Sequence, residues 1–431
     1  MKRVTIIVLD SLGIGALPDA GQYGDAGADT LLHILDAVPD LKIPHLRALG
    51  IGNIRGAAGG RLAVEAPRAA YARLSEASKG KDTITGHWEI AGLYTEHPFK
   101  TFEKFPDGFM ADFEKRIGTG TLGNYAASGT VIIEELGPAH EQSGMPIIYT
   151  SADSVFQIAA NTAVIPLGRL YEICEVAREM LTGEMSVGRV IARPYKMEQG
   201  RRVRTSDRKD YAVSPALFCR PEGPTSGVTG GPEPARPALF CRPEGPTSGV
   251  PGGPEPARTS GLTLLDHCAA AGQTVFAVGK ISDIFNGQGI TRSVHTENNM
   301  DGVDQTVKAL KEEFNGLIFT NLVDFDSLFG HRRDAPGYGR ALEAFDARLP
   351  EILSALGADE MLVLCADHGN DPAHGGWDHT REAVPALLYG KGVRPADFGV
   401  RASFADIGAT AAEFLGVKGT ATGKSLEIFG R

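Results

Sequence analysis

Paired thiols are missing from this chain. Its five cysteines, Cys174, Cys219, Cys241, Cys268 and Cys365, form no C-x-x-C pair, and Cys219 and Cys241 are copies of one another within a repeat. That pattern speaks against a disulfide framework and fits a reducing, cytoplasmic setting. Positive charge is also in short supply. A formal net charge of −10 argues against a nucleic-acid surface as the main partner. An anionic substrate stays open, because bound metal ions reverse a local field. No apolar run approaches the length of a membrane span. The apolar opening of the chain stops at Asp10 and lacks a small-residue cleavage site, so it reads as a first strand and not as a signal peptide. Gly13-Ile14-Gly15 lacks the third glycine of a dinucleotide fingerprint.

What is present is an alternation of short apolar runs and helical spacings over 431 residues, 42% hydrophobic and 22% charged, enough for a large core and more than one domain. The most informative stretch runs from Gly316 to His379. Two β-branched runs, Leu317–Val323 and Met361–Cys365, read as buried parallel strands. Each ends in acids and histidines: Asp324, Asp326 and His331 after the first, Asp367, His368, His374, Asp378 and His379 after the second. Ligands of open α/β sheets sit outside the carboxyl ends of such strands. Carboxylate oxygens mixed with imidazole nitrogens suit Mn²⁺, Zn²⁺ or Fe²⁺ better than Ca²⁺. The cluster reads as half of a two-metal site. Asp10, after the strand Val4–Leu9, is a turn or cap residue unless that cluster recruits it as a ligand.

A second stretch, Ser78 to Ile90, reads SKGKDTITGHWEI and suggests a helix N-terminus. The positive end and free N–H groups of such a helix favour an anion. Either Thr83 or Thr85 could then serve as a nucleophile that carries phosphate, given a metal or base to ionise the hydroxyl, or could simply cap the helix. His87 packs or caps in the same segment. Texture changes between Phe99 and Tyr211, read as an inserted cap domain. Within it Asn124–Thr130 is expected to be loop, and Asp153 to head an apolar helix with Val155, Ile158 and Ala159. Arg189, Arg193, Arg201, Arg202, Arg204 and Arg208 are a solvated face or phosphate clamps. Lys280 ends the expected strand Thr274–Val278, as a surface residue or facing the site. The expected organisation is a core over 1–98 and 261–431, the cap over 99–211 and a Pro/Gly-rich segment over 212–260. The fold class is α/β, a mostly parallel sheet with helices on both faces.

Seven segments in order, VLDSLGIG, GKDTITGHWEIAGL, YTSADSV, VGRVIARPY, GKISDIF, NLVDFDSLFGHRRD and ADHGNDPAHGGWDHTRE, together resemble the phosphopentomutase family of the alkaline phosphatase superfamily. The resemblance covers the chain except the repeat. It implies an alkaline-phosphatase-like core with a smaller inserted α+β cap. It also implies an isomerase that interconverts ribose or 2-deoxyribose 1-phosphate with the 5-phosphate in nucleoside and pentose phosphate metabolism. By motif, Asp10, Asp367 and His368 hold one Mn²⁺ ion and Asp326, His331 and His379 the other, with Mg²⁺ or Zn²⁺ less suited. Thr83, not Thr85, matches the family's phosphorylated nucleophile. Ser151, Asp153, Arg189 and Arg193 in the cap and Lys280 in the core match substrate-recognition motifs. The resemblance further implies a sugar bisphosphate intermediate and an activator such as glucose 1,6-bisphosphate, with no nucleic-acid or membrane partner. A phosphatase or sulfatase on the same core would release phosphate instead of isomerising. A phosphoglycerate mutase relative would carry Ser in place of Thr83, and a sugar-phosphate sensor would need no nucleophile.

Residues 215–236 recur at 237–258, differing only where Thr229 becomes Pro251. Two copies are too few for a solenoid, and their Pro/Gly density forbids a long helix or a central strand. The repeat is read as a mobile surface loop without catalytic role. Limited proteolysis should therefore cut first within 215–258; resistance there while other segments are cleaved would contradict this reading.

Overall fold

The computed structural model describes residues 1–96, 99–151, 154–218 and 261–429. Asp153 and nearly all of the duplicated segment lie outside the described residues, so the expectations placed on them have no counterpart here. The chain divides into two compact units, one of Met1–Pro98 and Leu239–Arg431, the other of Phe99–Ala238.

In chain order, the first unit opens with β1 (Arg3–Leu9), α1 (Thr30–Ala37), α2 (Pro44–Leu49), β2 (Ala70–Leu74) and α3 (Thr83–Ile90). The second unit holds α4 (Asp107–Ile117), β3 (Leu122–Ala126), α5 (Gly129–Ser143), β4 (Ile147–Thr150), β5 (Val155–Asn161) and α6 (Leu167–Met180). It continues with β6 (Arg189–Glu198), β7 (Arg201–Arg204), β8 (Lys209–Ala212) and α7 (Pro215–Phe218). The first unit resumes with α8 (Leu264–Ala270), β9 (Thr274–Val278), α9 (Ile281–Ile284), β10 (Arg292–Val294), α10 (Asn299–Leu310) and β11 (Gly316–Leu322). It ends with α11 (Ala335–Ala355), β12 (Glu360–Cys365), β13 (Val384–Tyr389), β14 (Asp397–Arg401) and α12 (Ala405–Leu415).

The first unit is built on a sheet of order β10-β9-β11-β1-β12-β13-β2-β14, in which β13 alone runs against its neighbours. The mostly parallel α/β architecture is therefore as expected. β1, β11 and β12 are buried at every position, which their unbroken apolar runs require of strands covered on both faces. Helices α1, α2, α10 and α11 pack as one group, and α3, α8, α9 and α12 as another. The second unit has a mixed sheet of order β3-β4-β5-β6-β7, with β8 paired to the first half of β6. Its core is aromatic: Phe156 receives Phe105 and Phe113 edge-on, with ring centroids 4.8 and 5.3 Å away.

Two local expectations fail in the second unit. Val155, Ile158 and Ala159 belong to strand β5 and not to a helix, because all seven of its residues are buried and the helical spacing is accidental. Asn124–Thr130 is not loop throughout: β3 runs to Ala126 and α5 starts at Gly129. Gly123 and Asn124 both sit at positive φ, 88° and 70°, a kink inside a strand that reads locally as a turn. In the first unit, the short edge strands β10 and β14 carry too little patterning to be seen in advance.

One buried ion pair ties the central strand to its neighbours. Arg3 on β1 donates to the Glu360 carboxylate at 2.6 Å and to the carbonyls of Ala309, Leu310 and Glu312 at the end of α10. A cation is well placed at a helix C-terminus. Arg3→Met alone should lower unfolding stability by about 3–5 kcal/mol by leaving Glu360 buried and unpaired. The double variant Arg3→Met/Glu360→Met should recover most of that loss in urea unfolding, and equal losses would deny the pairing.

Candidate metal centre

Strands β11, β1 and β12 are adjacent, parallel and nearly in register at their ends, Leu9 facing Leu322 and Val8 facing Cys365. The residues that follow them therefore leave the sheet at one edge. Asp10, Asp326 and Asp367 are all buried there. The π-helical turn Phe325–Gly330 carries Asp326 inward and ends at His331.

The carboxylates divide their oxygens between two tasks. Asp10 Oδ2 accepts from Asn321 Nδ2 at 2.8 Å, and Asp367 Oδ1 accepts from the Ser11 N–H at 3.1 Å. Of their other oxygens, Asp10 Oδ1 is buried without a hydrogen-bond partner, and Asp367 Oδ2 is buried with His87 Nδ1 3.1 Å away. Asp326 Oδ1 accepts from Asn370 Nδ2 at 2.7 Å, and its Oδ2 lies 3.2 Å from His331 Nε2.

The histidines follow one rule. His331 Nδ1 sits 2.9 Å from the Trp377 carbonyl, His368 Nδ1 3.0 Å from the Gly369 carbonyl and His379 Nδ1 3.1 Å from the Lys81 carbonyl. A carbonyl only accepts, so each Nδ1 bears a hydrogen, and in the neutral ring that ligates a metal each Nε2 is the lone pair. Those lone pairs face the carboxylates and one another: His379 Nε2 is 3.1 Å from His331 Nε2 and 3.4 Å from Asp326 Oδ1. His368 Nε2 is 3.3 Å from Asp367 Oδ2 and 3.5 Å from Asp10 Oδ1. Lone pair against lone pair is repulsive unless a cation stands between them. The donor set, buried carboxylate oxygens facing imidazole lone pairs, fits divalent ions.

Two groups with metal-ligand spacing emerge: Asp10, Asp367 and His368, and Asp326, His368 and His379. His331 stands beside the second, so Asp326 has both His331 and His379 within reach. His374 and Asp378 do not join: His374 Nε2 meets the Gly24 carbonyl at 3.1 Å, and Asp378 pairs with Lys81 at 3.2 Å.

The electrostatics carry the same message. Burial first, then the charges of Asp367 and Asp326, push the Asp10 carboxyl well above the ordinary carboxylate range. Burial pushes Asp367 up as well, but His368 and His87 beside it outweigh that and hold it at about 2. For Asp326, too, burial is outweighed, by His379 and His331, and its carboxyl is held well below the usual range.

Helix α3 brings the hydroxyl. Its cap is Asp82, whose carboxylate accepts from Ile84 N and Thr85 N, both at 3.1 Å. This corrects the expectation of an anion held by free N–H groups at this helix end, since Asp82 consumes two of them. It also separates the two threonines. Thr85 is buried and donates to Asp82 at 2.6 Å, whereas Thr83 is half-buried with Oγ1 3.2 Å from His368 Nε2. Gly86 allows the contact, because a Cβ there would overlap the Asp367 carbonyl.

Of the expected substrate residues, Lys280 follows β9, and its positive charge acts on Asp10 as one of the weaker influences there. In the second unit, Ser151 follows β4 and is half-buried; Arg189 lies 3.5 Å from Asp210, and Arg193 donates to Gln157 at 3.1 Å.

Sequence reasoning missed several supports. Asn321 stands inside the apolar run LIFTNL and is buried; a polar residue in such a strand was the available signal. Arg333, at φ 55°, donates to the Gly376 and Asp378 carbonyls and to Asn370 Oδ1 at 2.8, 3.0 and 2.5 Å, holding the loop that carries His379. Arg381 is buried and reaches Glu76 and the Ser78 and Gly80 carbonyls at 2.6, 2.8 and 2.6 Å, fixing the segment that leads into Thr83.

Comparison with known proteins adds relatives. A model of the metalloenzyme superfamily matches residues 2–419. The phosphopentomutase of Alkaliphilus metalliredigens is 48% identical over 434 residues, covering 100% of this chain and 99% of that protein. The phosphopentomutase of Acetivibrio thermocellus is 48% identical over 427 residues, covering 99% and 98%. That of Clostridioides difficile is 47% identical over 422 residues, covering 97% of both chains.

Because the Asp10 carboxyl titrates above its unfolded value, the folded metal-free protein holds a proton that the unfolded chain releases. Its stability falls as pH rises from the ordinary carboxylate range through the raised value. Asp10→Asn should flatten that dependence and raise the metal-free thermal midpoint at neutral pH by roughly 2–4 °C. It should also shrink the midpoint increment produced by Mn²⁺. A metal-free variant less stable than its parent, with the increment undiminished, would contradict the cage.

Proposed function

The chain belongs to the phosphopentomutase family of the metalloenzyme superfamily, and from that premise we propose that Thr83 is its phosphorylated nucleophile, acting over a two-ion site. The activity is the interconversion of ribose or deoxyribose 1-phosphate with the corresponding 5-phosphate, and it depends on divalent metal. In this reading Asp10, Asp367 and His368 hold one ion and Asp326, His331 and His379 the other. Mn²⁺ suits the equal mixture of carboxylate oxygen and imidazole nitrogen. When bound, such a pair supplies charge neutralisation and Lewis acidity at the hydroxyl and at the transferring phosphoryl group.

The observation that carries the proposal is the separation of the two threonines. Thr85 is spent on Asp82, while Thr83 Oγ1 stands 3.2 Å from His368 Nε2, which itself lies 3.5 Å from Asp10 Oδ1 and 3.3 Å from Asp367 Oδ2. With Ile84 N and Thr85 N also spent, the helix has few N–H groups to offer a phosphate, and positive charge must come from elsewhere.

The sequence of steps is then fixed by what a mutase must accomplish. Phospho-Thr83 gives its phosphoryl group to the free hydroxyl of the sugar monophosphate: the Thr83 Oγ1–P bond breaks, a sugar O–P bond forms, and the hydroxyl proton ends on Thr83 Oγ1. The resulting sugar bisphosphate turns over and returns its other phosphoryl group to Thr83. A bisphosphate such as glucose 1,6-bisphosphate primes the enzyme by the same half-reaction. Lys280, Ser151, Asp153, Arg189 and Arg193 are assigned to the substrate's remote phosphate and hydroxyls, for which Arg and Lys are natural partners. A reducing, cytoplasmic setting belongs to this reading, and the buried, unpaired Cys174, Cys268 and Cys365 support it.

Thr83→Ala should lower isomerisation of ribose 5-phosphate by about 10³-fold or more. After incubation with glucose 1,6-bisphosphate, mass spectrometry should find phosphothreonine in the parent and in Thr85→Ala but not in Thr83→Ala. Turnover retained by Thr83→Ala, or phosphate found on another residue, would displace Thr83 from the mechanism.

A further inference from the structure

We propose that His87 is a positioning residue that ties the nucleophile to one half of the metal cage. The inference rests on the assignment of Thr83 made above and deepens it. His87 has no exposed surface. It sits one turn beyond Thr83 on α3, with Nδ1 2.8 Å from the Thr83 carbonyl and 3.1 Å from Asp367 Oδ2. Its other nitrogen, Nε2, lies 3.3 Å from Asn321 Nδ2, and that same amide nitrogen stands 2.8 Å from Asp10 Oδ2.

The proton positions follow from the partners. The Thr83 carbonyl only accepts, so Nδ1 carries the ring proton and Nε2 is the acceptor. Asn321 must then present its NH₂ group, one hydrogen to His87 and the other to Asp10. A flipped amide would set its oxygen against a carboxylate oxygen and a lone pair. The ring, edge to edge, thus joins the backbone of Thr83 to Asp10 through Asn321, and its Nδ1–H also faces Asp367 Oδ2 at 3.1 Å. Phe319 packs on the ring at 5.8 Å between centroids, which limits its rotation.

What this achieves is registration. Thr83 Oγ1 must be aligned with the ion positions to within a fraction of an ångström for phosphoryl transfer. Helix α3 and strands β1 and β11 have no covalent reason to keep that alignment. His87 and Asn321 supply one, because His87 moves with Thr83 on α3, and a shift of that helix would break the His87 contacts to Asn321 and Asp367. Partners that orient metal ligands in this way carry about 10–100-fold in affinity or rate.

The test uses the full-length protein with Mn²⁺ as the probe. Substituting His87→Leu should lower kcat for ribose 5-phosphate by about 10–100-fold with KM changed less than about threefold, and weaken Mn²⁺ binding measured by calorimetry. His87→Asn places an N–H where Nδ1 was and should recover part of kcat; His87→Gln places its amide where Nε2 was and should recover less. A folded His87→Leu with parental kcat and Mn²⁺ affinity would overturn the inference, as would His87→Gln equal to or faster than His87→Asn. Should the leucine variant fail to fold, the order of the two amide variants decides by itself. Thr83→Ala run alongside separates the two readings: turnover there sinks the nucleophile assignment, while the Mn²⁺ titration still judges the link to Asp10 and Asp367.

Discussion

The rest of the molecule answers to one electrostatic constraint: Asp10, Asp326 and Asp367 are buried together at the ends of three neighbouring strands. Carboxylates in such surroundings repel one another and lose hydration, a combination that ordinarily leads one of them to keep its proton. Here the carboxyl pushed upward is that of Asp10, by burial and by its two neighbours. Among the described residues no lysine or arginine forms an ion pair with these three carboxylates. The fold surrounds the acids with imidazole lone pairs, each turned inward by a backbone carbonyl behind it. A centre built from negative charge and lone pairs is complete only with cations, which is why divalent-metal dependence follows from the protein's own donors as much as from its family.

Much of that centre was legible in the sequence, for an identifiable reason. Buried parallel strands announce themselves as unbroken apolar runs, and the residues after them leave at the same edge of the sheet whatever the helices do. That rule gathered Asp326, Asp367 and His368 at one edge; Asp10 stayed between a turn residue and a ligand until the cluster and the resemblance recruited it. Choosing between Thr83 and Thr85 needed more: the resemblance pointed to Thr83, and in the structure Asp82 binds the Thr85 hydroxyl and not that of Thr83, which favours the same choice. The short strands β10 and β14 and the β3 kink at Gly123 and Asn124 were not legible, since a few residues with weak pattern are decided by their neighbours. The helix expected over Val155–Ala159 shows the same limit from the other side. Apolar residues three and four apart satisfy a helical spacing, and a strand buried on both faces satisfies it too.

Least legible were the residues that hold the ligands. Arg333 and Arg381 look like surface charges in the bare sequence, yet each directs its guanidinium at backbone carbonyls of loops that bear the chemistry. A planar donor fork is suited to this, since it binds several carbonyls without imposing a side-chain partner. The arrangement places the demand for precision on backbone conformation, where periodicity and composition say nothing.

The same logic applies to the helix of Thr83, the proposed nucleophile, which is itself held from several directions. Gly86 lets α3 approach the Asp367 backbone with nothing between, Arg381 fixes the segment before its cap, and the Lys81 carbonyl just ahead of the cap orients His379. The strand-end acids and the Thr83 helix are therefore not two sites brought near each other. The backbone that delivers Thr83 is also what sets the tautomer of one imidazole in the cage, so neither can be displaced without the other. For a reaction that asks mainly for alignment and for neutralised charge, that shared backbone does what a flexible loop bearing the same threonine could not.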